Sequence, residues 1–142
     1  MQTNLGFGYD QDAWDGVFEM TGCRRALSPS KLPGMDYALN PYGGCEHGCV
    51  YCYAPEVTHQ PWDRWRVVRV KWDIADRLRK EVRGLGGTVG IGTVTDPYQG
   101  AEARFHLTRD CLTVLRSAGM GVHIHTKSPL LLRDIDMILS ME

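Results

Sequence analysis

Three cysteines fall within eight residues, at Cys45, Cys49 and Cys52 in the stretch NPYGGCEHGCVYCYAP. Thiolates are soft ligands that select zinc or iron–sulfur clusters. Gly43, Gly44 and Gly48 let the backbone curl, through positive φ where needed, so that three sulfurs can converge on one centre. The number of thiols separates two chemistries. A structural zinc site is closed by four protein ligands, and here only His47 or His59 stands near enough in sequence to be the fourth. A four-iron cluster held by three thiolates instead leaves one iron open to a substrate or cosubstrate.

Five cysteines is an odd number, and three of them lie too close together to serve as separate disulfide staples, so metal binding is the expected use of the cluster. Cys111 falls on the apolar stripe of an expected helix, where a free cysteine acts as a small buried hydrophobe, and Cys23 is read the same way. The 142 residues, 43% hydrophobic and 23% charged, describe one globular domain able to bury a core. No stretch approaches the roughly 18 apolar residues of a membrane span, and the acidic, polar start lacks the form of a signal peptide. The expectation is a cytoplasmic protein with no membrane partner.

The net charge of −1 argues against a molecule that is polyanion-binding as a whole. Half of its sixteen basic residues nevertheless lie in positions 64–83 (Arg64, Arg66, Arg69, Lys71, Arg77, Arg79, Lys80, Arg83), interleaved with Trp65 and Trp72 and close to Trp62. Such a mixture could grip a nucleic-acid backbone and stack bases, which makes a nucleic-acid-binding domain an alternative reading.

The elements that must position these residues follow from the apolar pattern. Residues 1–34 read as an irregular lead-in, with a short helical turn near 13–19, and 35–142 as one core unit. MDYALN (35–40) is a strand candidate running into the cysteine loop, and RWRVVRV (64–70) is β-branched and extended. Asp73 can cap a helix carrying Ile74, Leu78 and Val82, with Gly84 after its end. TVGIGTV (88–94) reads as a buried strand followed by a turn at TDPYQG; its Gly90-x-Gly92 pair lacks the third glycine of a dinucleotide fingerprint. A helix over 102–118 places Leu107, Cys111, Leu115 and Ala118 on one stripe. GVHIHT (121–126) is the next strand, and from Pro129 a third helix turns Leu132, Ile135 and Leu139 inward. Repeated strand–helix units argue for a parallel α/β sheet.

With its spacing and the aromatic Tyr51 before the last thiol, Cys45-x3-Cys49-x2-Cys52 resembles the signature of the radical S-adenosylmethionine (SAM) enzymes. The wider strings SPSKLPGMDYALNPYGGCEHGCVYCYAP, TVTDPYQ and TKSPLLLRDID are similar to the branch related to spore photoproduct lyase, over roughly residues 26–142. The resemblance implies an α/β fold, a partial (β/α)6 barrel of radical SAM type, here reduced to about its first three strand–helix units. It also implies a 4Fe-4S cluster on Cys45, Cys49 and Cys52, reductive cleavage of SAM to a 5′-deoxyadenosyl radical, and an electron donor such as flavodoxin or ferredoxin. Tyr51 would pack near the adenine, Thr95 would meet the amino group of SAM with Asp96 as second choice, and Lys127 would face its carboxylate.

The strand pattern offers an independent check. Ligands of parallel α/β barrels sit at the C-terminal strand ends. The cysteines follow the first strand, Thr95-Asp96-Pro97 the second and Thr126-Lys127-Ser128 the third, so a barrel would gather all three on one rim. His123 and His125 share a strand face with Lys127 and could line it. The lyase itself carries a cysteine hydrogen donor shortly before its strand-two serine; here that neighbourhood reads Thr93-Val94-Thr95, so its repair of a thymine photoproduct is not expected. A full eight-unit barrel takes about 250 residues. A missing C-terminal part or a partner chain is therefore expected to complete the sheet, which otherwise ends in an open edge at 121–126.

Overall fold

The structure, a computed structural model, describes residues 16–44 and 62–141. The strands β1 (Phe18–Thr21), β2 (Leu27–Pro29), β3 (Tyr37–Leu39) and β4 (Tyr42–Gly43) precede the short helix α1 (Trp62–Trp65) and strand β5 (Val68–Lys71). Helix α2 (Ile74–Glu81), strand β6 (Thr88–Ile91), helices α3 (Gly100–Phe105) and α4 (Leu107–Ser117) and strand β7 (Gly121–Ile124) follow. A 3-10 helix (Pro129–Asp134) then leads into α5 (Ile135–Leu139).

Two sheets result. In the larger, β3, β6 and β7 are parallel and adjacent in chain order, and β2 lies antiparallel on the outer side of β3. The register sets Tyr37 opposite Val89 and Val89 opposite Val122. This is the parallel α/β arrangement that alternating strands and helices require. The smaller sheet has the order β1–β5–β4, with β1 parallel and β4 antiparallel to β5. The chain thus leaves β3 in one sheet and enters the other as β4 within three residues.

One apolar core joins these parts. Ile74, Leu78 and Val82 of the α2 stripe, Val89 and Ile91 of β6, and Leu107, Cys111 and Leu115 of α4 are all buried in it. The spacing of each trio places its members on one helical face, and α2 packs directly on α4. Cys111 is fully buried and Cys23 nearly so, with burial raising both thiol pKa values above the ordinary range.

Several sequence expectations change. The segment read as irregular carries β1 and β2, and Phe18, expected in a helical turn, is extended against Val68. The helix expected over 102–118 is interrupted at His106, whose φ of 59° closes α3 and whose carbonyl accepts from the Asp110 amide as α4 begins. The third helix opens as a 3-10 turn, in which side chains three apart eclipse. That shift in period turns Leu130 and Asp134 inward while Leu132 and Leu139 stand 47% and 61% exposed and Ile135 is half-buried. Among the described residues, no helix is long and apolar enough to cross a membrane.

Gly92, just beyond β6, has φ of 87°, and a Cβ there would lie 2.5 Å from both the His125 carbonyl oxygen and Pro97 Cδ. Gly84 has a similar φ of 73° with open space around it. Gly84→Ala should therefore cost only the left-handed strain, about 1 kcal/mol. Gly92→Ala adds a clash with backbone and should cost about 3 kcal/mol, a difference that urea unfolding midpoints will resolve.

Candidate functional site

The C-terminal ends of β3, β6 and β7 lie side by side because the strands are parallel and adjacent. Each end is tied to its neighbours by side chains. Thr95 Oγ1 donates to the Tyr42 carbonyl at 3.0 Å and lies 3.3 Å from Asn40 Oδ1, joining the loop after β6 to the exit of β3. The Asn40 carbonyl also accepts from Lys71 Nζ at 2.7 Å. Burial pulls this ammonium below the usual lysine range, with Arg69 adding to the effect and Cys23 opposing it.

Asp96 makes the link to β7. Its Oδ1 accepts from Thr126 Oγ1 at 2.6 Å and from the Tyr98 amide at 2.8 Å, while Oδ2 accepts from the Lys127 amide at 2.9 Å. The Tyr98 bond is the Asx turn that an Asp-Pro start favours; the other two clamp the end of the third parallel strand. Thr126 Oγ1 in turn accepts from the Ser128 amide, and Ser128 Oγ caps the 3-10 helix by accepting from the Leu130 amide. Both Thr95 and Asp96 are buried, and Lys127 is exposed at the same rim.

Gln99 links the loop after β6 to Gly44. Fully buried, it donates from Nε2 to the Asp96 carbonyl at 3.1 Å and to the Gly44 carbonyl at 3.2 Å. Gly44 immediately precedes Cys45; its φ is 75°, and a Cβ there would lie 2.5 Å from the Trp65 carbonyl oxygen. Only glycine fits so close an approach, and it fixes the direction in which the chain leaves β4.

The structure therefore brings together Thr95, Asp96 and Lys127. Cys45, Cys49, Cys52, Tyr51, His47 and His59 lie outside the described residues, and Gly44, the residue before Cys45, accepts from Gln99. His123 and His125 are both exposed. Within the basic stretch 64–83, Trp65 is buried, Lys71 is bound to the Asn40 carbonyl, Arg64 pairs with Glu19 at 3.1 Å and Arg79 pairs with Asp76. Among the described residues, no group of three or more His, Cys, Asp or Glu side chains could hold a metal ion.

Beneath the rim lies a buried ionic network that composition and periodicity did not reveal. Glu102 accepts from Tyr42 Oη at 2.5 Å, from the Thr108 amide at 2.8 Å and from Arg133 Nη2 at 2.7 Å. It thereby restarts the helix after His106. Arg133 also contacts Asp134, which accepts from Tyr98 Oη at 2.9 Å and from Arg109 Nη1 at 2.6 Å. Burial raises the Glu102 pKa, against the pull of Arg133. Asp134 is driven down by Arg133, Tyr98 and Arg109 in spite of its own burial. Burial and the neighbouring carboxylates push both tyrosines up: Glu102 beside Tyr42, Asp134 and then Glu102 beside Tyr98. Burial and then the Arg133 charge hold the His106 imidazole below its ordinary value.

Residues 39–141 match the family model of the Radical SAM superfamily. The chain belongs to that superfamily. An uncharacterized protein of Methanocaldococcus jannaschii is 33% identical over 118 residues, covering 80% of this chain and 44% of its own. Uncharacterized proteins of Mycobacterium bovis and Mycobacterium tuberculosis are 38% identical over 141 residues, covering 88% of this chain and 40% of theirs. The chain thus spans less than half the length of the curated relatives it matches. No solved structure matches it.

In this radical SAM chain Arg133 neutralises two carboxylates that are fully buried. Arg133→Met should cost about 3–5 kcal/mol at neutral pH, because it leaves the buried Glu102 without its cation and Asp134 with Arg109 as its remaining cation. The deficit should shrink as pH falls toward about 4. In the parent, the lowered Asp134 pKa contributes stability that is present above the unfolded value and lost as pH falls through the folded one. In the variant Asp134 keeps Arg109 and Tyr98, whereas Glu102, already raised by burial, loses its cation and gains stability on protonation. Denaturant unfolding across pH checks both the size and the sign.

Proposed function

We propose that this chain is the cofactor-binding part of a radical SAM enzyme. Cys45, Cys49 and Cys52 would hold a 4Fe-4S cluster whose fourth iron is left to SAM. The donor chemistry fits that group: three thiolates in a glycine-rich loop supply three ligands and leave one coordination site open. When bound, the cluster would supply the one electron whose transfer to the sulfonium breaks its C5′–S bond, giving methionine and a 5′-deoxyadenosyl radical.

The observation that carries the reading is the common rim. Thr95, Asp96 and Lys127 follow the ends of the adjacent parallel strands β6 and β7, and Gly44, which follows β4 of the smaller sheet, is joined to them through Gln99. In this reading Thr95, whose proton is committed to the Tyr42 carbonyl, keeps lone pairs to accept from the amino group of SAM. Lys127 offers its cation to the carboxylate, with its backbone fixed by Asp96. Asp96 acts as a positioning residue, since three donors already occupy its oxygens. Tyr51 would lie against the adenine.

The radical would abstract hydrogen from a substrate held largely by the remaining length found in the relatives, which would also complete a barrel beyond β7. A flavodoxin- or ferredoxin-type protein would supply the electron. The likeness to spore photoproduct lyase extends to the cofactor half of the chemistry, and a nucleic-acid substrate is kept with it. The thiol hydrogen donor of that enzyme has no counterpart at Thr93-Val94-Thr95.

Protein prepared without oxygen and given iron and sulfide should be brown, with about four irons per chain, and should release 5′-deoxyadenosine on reduction in the presence of SAM. Replacing any one of Cys45, Cys49 or Cys52 by Ala should abolish the colour. Lys127→Ala should leave the iron content intact and weaken SAM binding about tenfold. A colourless protein holding one zinc, with His47→Ala releasing it, would replace the enzymatic reading with a zinc module.

A further inference from the structure

A second site lies at the other end of the strands. A pocket of about 410 Å³ opens between the loop before β2, the start of β3 and the outer face of α2. Four cations line it: Arg24 and Arg25 from the loop, Arg77 and Lys80 from the helix. Tyr37, the first residue of β3, contributes a half-buried ring, and Leu85, three residues before β6, closes the same end. Thr95, Asp96 and Lys127 follow the opposite ends of these parallel strands, so the pocket is separate from the SAM rim.

The single carboxylate in the pocket does not neutralise it. Glu81 is committed to the backbone: its two oxygens accept from the Ala26 amide at 2.8 Å and the Leu27 amide at 3.0 Å. This shapes the turn that presents Arg24 and Arg25. Arg77 spends its Nε on the Cys23 carbonyl at 3.0 Å, which anchors the guanidinium and leaves its two terminal nitrogens as donors. Among the described residues Arg24, Arg25 and Lys80 make no side-chain hydrogen bond or ion pair. Four like charges around one concavity repel each other, a cost that an anion in the pocket would remove. Planar guanidinium groups match the oxygens of a phosphate, and an aromatic ring beside them suits a base.

We propose that this pocket binds the phosphate of a nucleotide, with Arg24, Arg25, Arg77 and Lys80 around the oxygens and Tyr37 against the base. The volume admits one nucleotide. That unit is supplied either by a free nucleoside monophosphate or by one residue of a single-stranded nucleic acid, the shared chemistry being a phosphate ester. The assignment does not rest on the radical reaction, because no residue of the rim or the cysteine loop takes part.

The test uses adenosine 5′-monophosphate, followed by calorimetry, and a fluorescein-labelled oligothymidylate of about a dozen nucleotides, followed by anisotropy. Both are run on the parent, on Arg24→Ala/Arg25→Ala and on the control Arg83→Ala/Arg116→Ala, which removes the same charge outside the pocket. All four substituted side chains are exposed, so unfolding midpoints should stay unchanged. The expected result is at least about a tenfold loss of binding in the pocket variant and little change in the control.

If the monophosphate binds as tightly as the oligonucleotide, the site takes a free nucleotide. If the oligonucleotide binds far more tightly, the site grips a strand, and its salt slope should then fall by about 1.5 in the pocket variant. Equal losses in both variants, or no binding of either probe by the parent, would overturn the proposal. A variant lacking Cys45, Cys49 and Cys52 should bind both probes like the parent, which separates failure of this site from failure of the radical SAM reading.

Discussion

The Asp96 carboxylate is the constraint on which the rim depends. Parallel strands give adjacent ends, but each end here runs into a loop, and loops do not hold themselves to the fraction of an ångström that catalytic geometry demands. One carboxylate with acceptor sites on both oxygens can take donors from its own loop and from the next strand end together. Asp96 does so through Tyr98, Thr126 and Lys127, while Thr95 beside it turns the other way to Asn40 and Tyr42. Two consecutive residues therefore bind the middle strand end to both neighbours. Buried bonds of this kind stiffen because breaking one leaves an unsatisfied polar group, at about 1–3 kcal/mol.

The Glu102–Arg133–Asp134 network supports that rim from below. Tyr42, whose carbonyl receives the Thr95 hydroxyl, is held through its own hydroxyl by Glu102. Tyr98, whose amide completes the Asp96 turn, is held through its hydroxyl by Asp134. Both sides of the rim are thus anchored to a single guanidinium. Buried charges are a poor source of net stability. Here they tie β4, α3 and the 3-10 helix to one another through directional bonds.

The neighbouring positions of Thr95, Asp96 and Lys127 were legible in the sequence and the network beneath them was not, for physical reasons. Thr95, Asp96 and Lys127 each follow an apolar run with strand spacing, so the rule that parallel strands put their ends together located them without coordinates. Glu102 sits in a first helical turn and Arg133 in a last one, where acids and bases are ordinary solvated neighbours of the dipole. Nothing local marks them as buried. The strand β1 was hidden for a related reason: FEMT does alternate apolar and polar residues, but four residues are too few to tell a strand from a helical turn, and it is the pairing with Val68–Lys71 far along the chain that makes it a strand. The break at His106 escaped notice because the apolar stripe runs on through it, and the interruption comes from a capping carboxylate rather than from glycine or proline.

The route of the chain through two sheets has a mechanical consequence. Gly43 and Gly44 hand the cysteine segment its starting point, yet β4 is hydrogen-bonded to β5, and β5 to β1, in a ribbon apart from the one that carries Thr95 and Lys127. Phe18–Thr21 precede the portion that matches the superfamily, which begins at residue 39. The family boundary and the load path do not coincide: a pull on the first strand is transmitted sideways, across two ladders, to the point from which the three thiols depart.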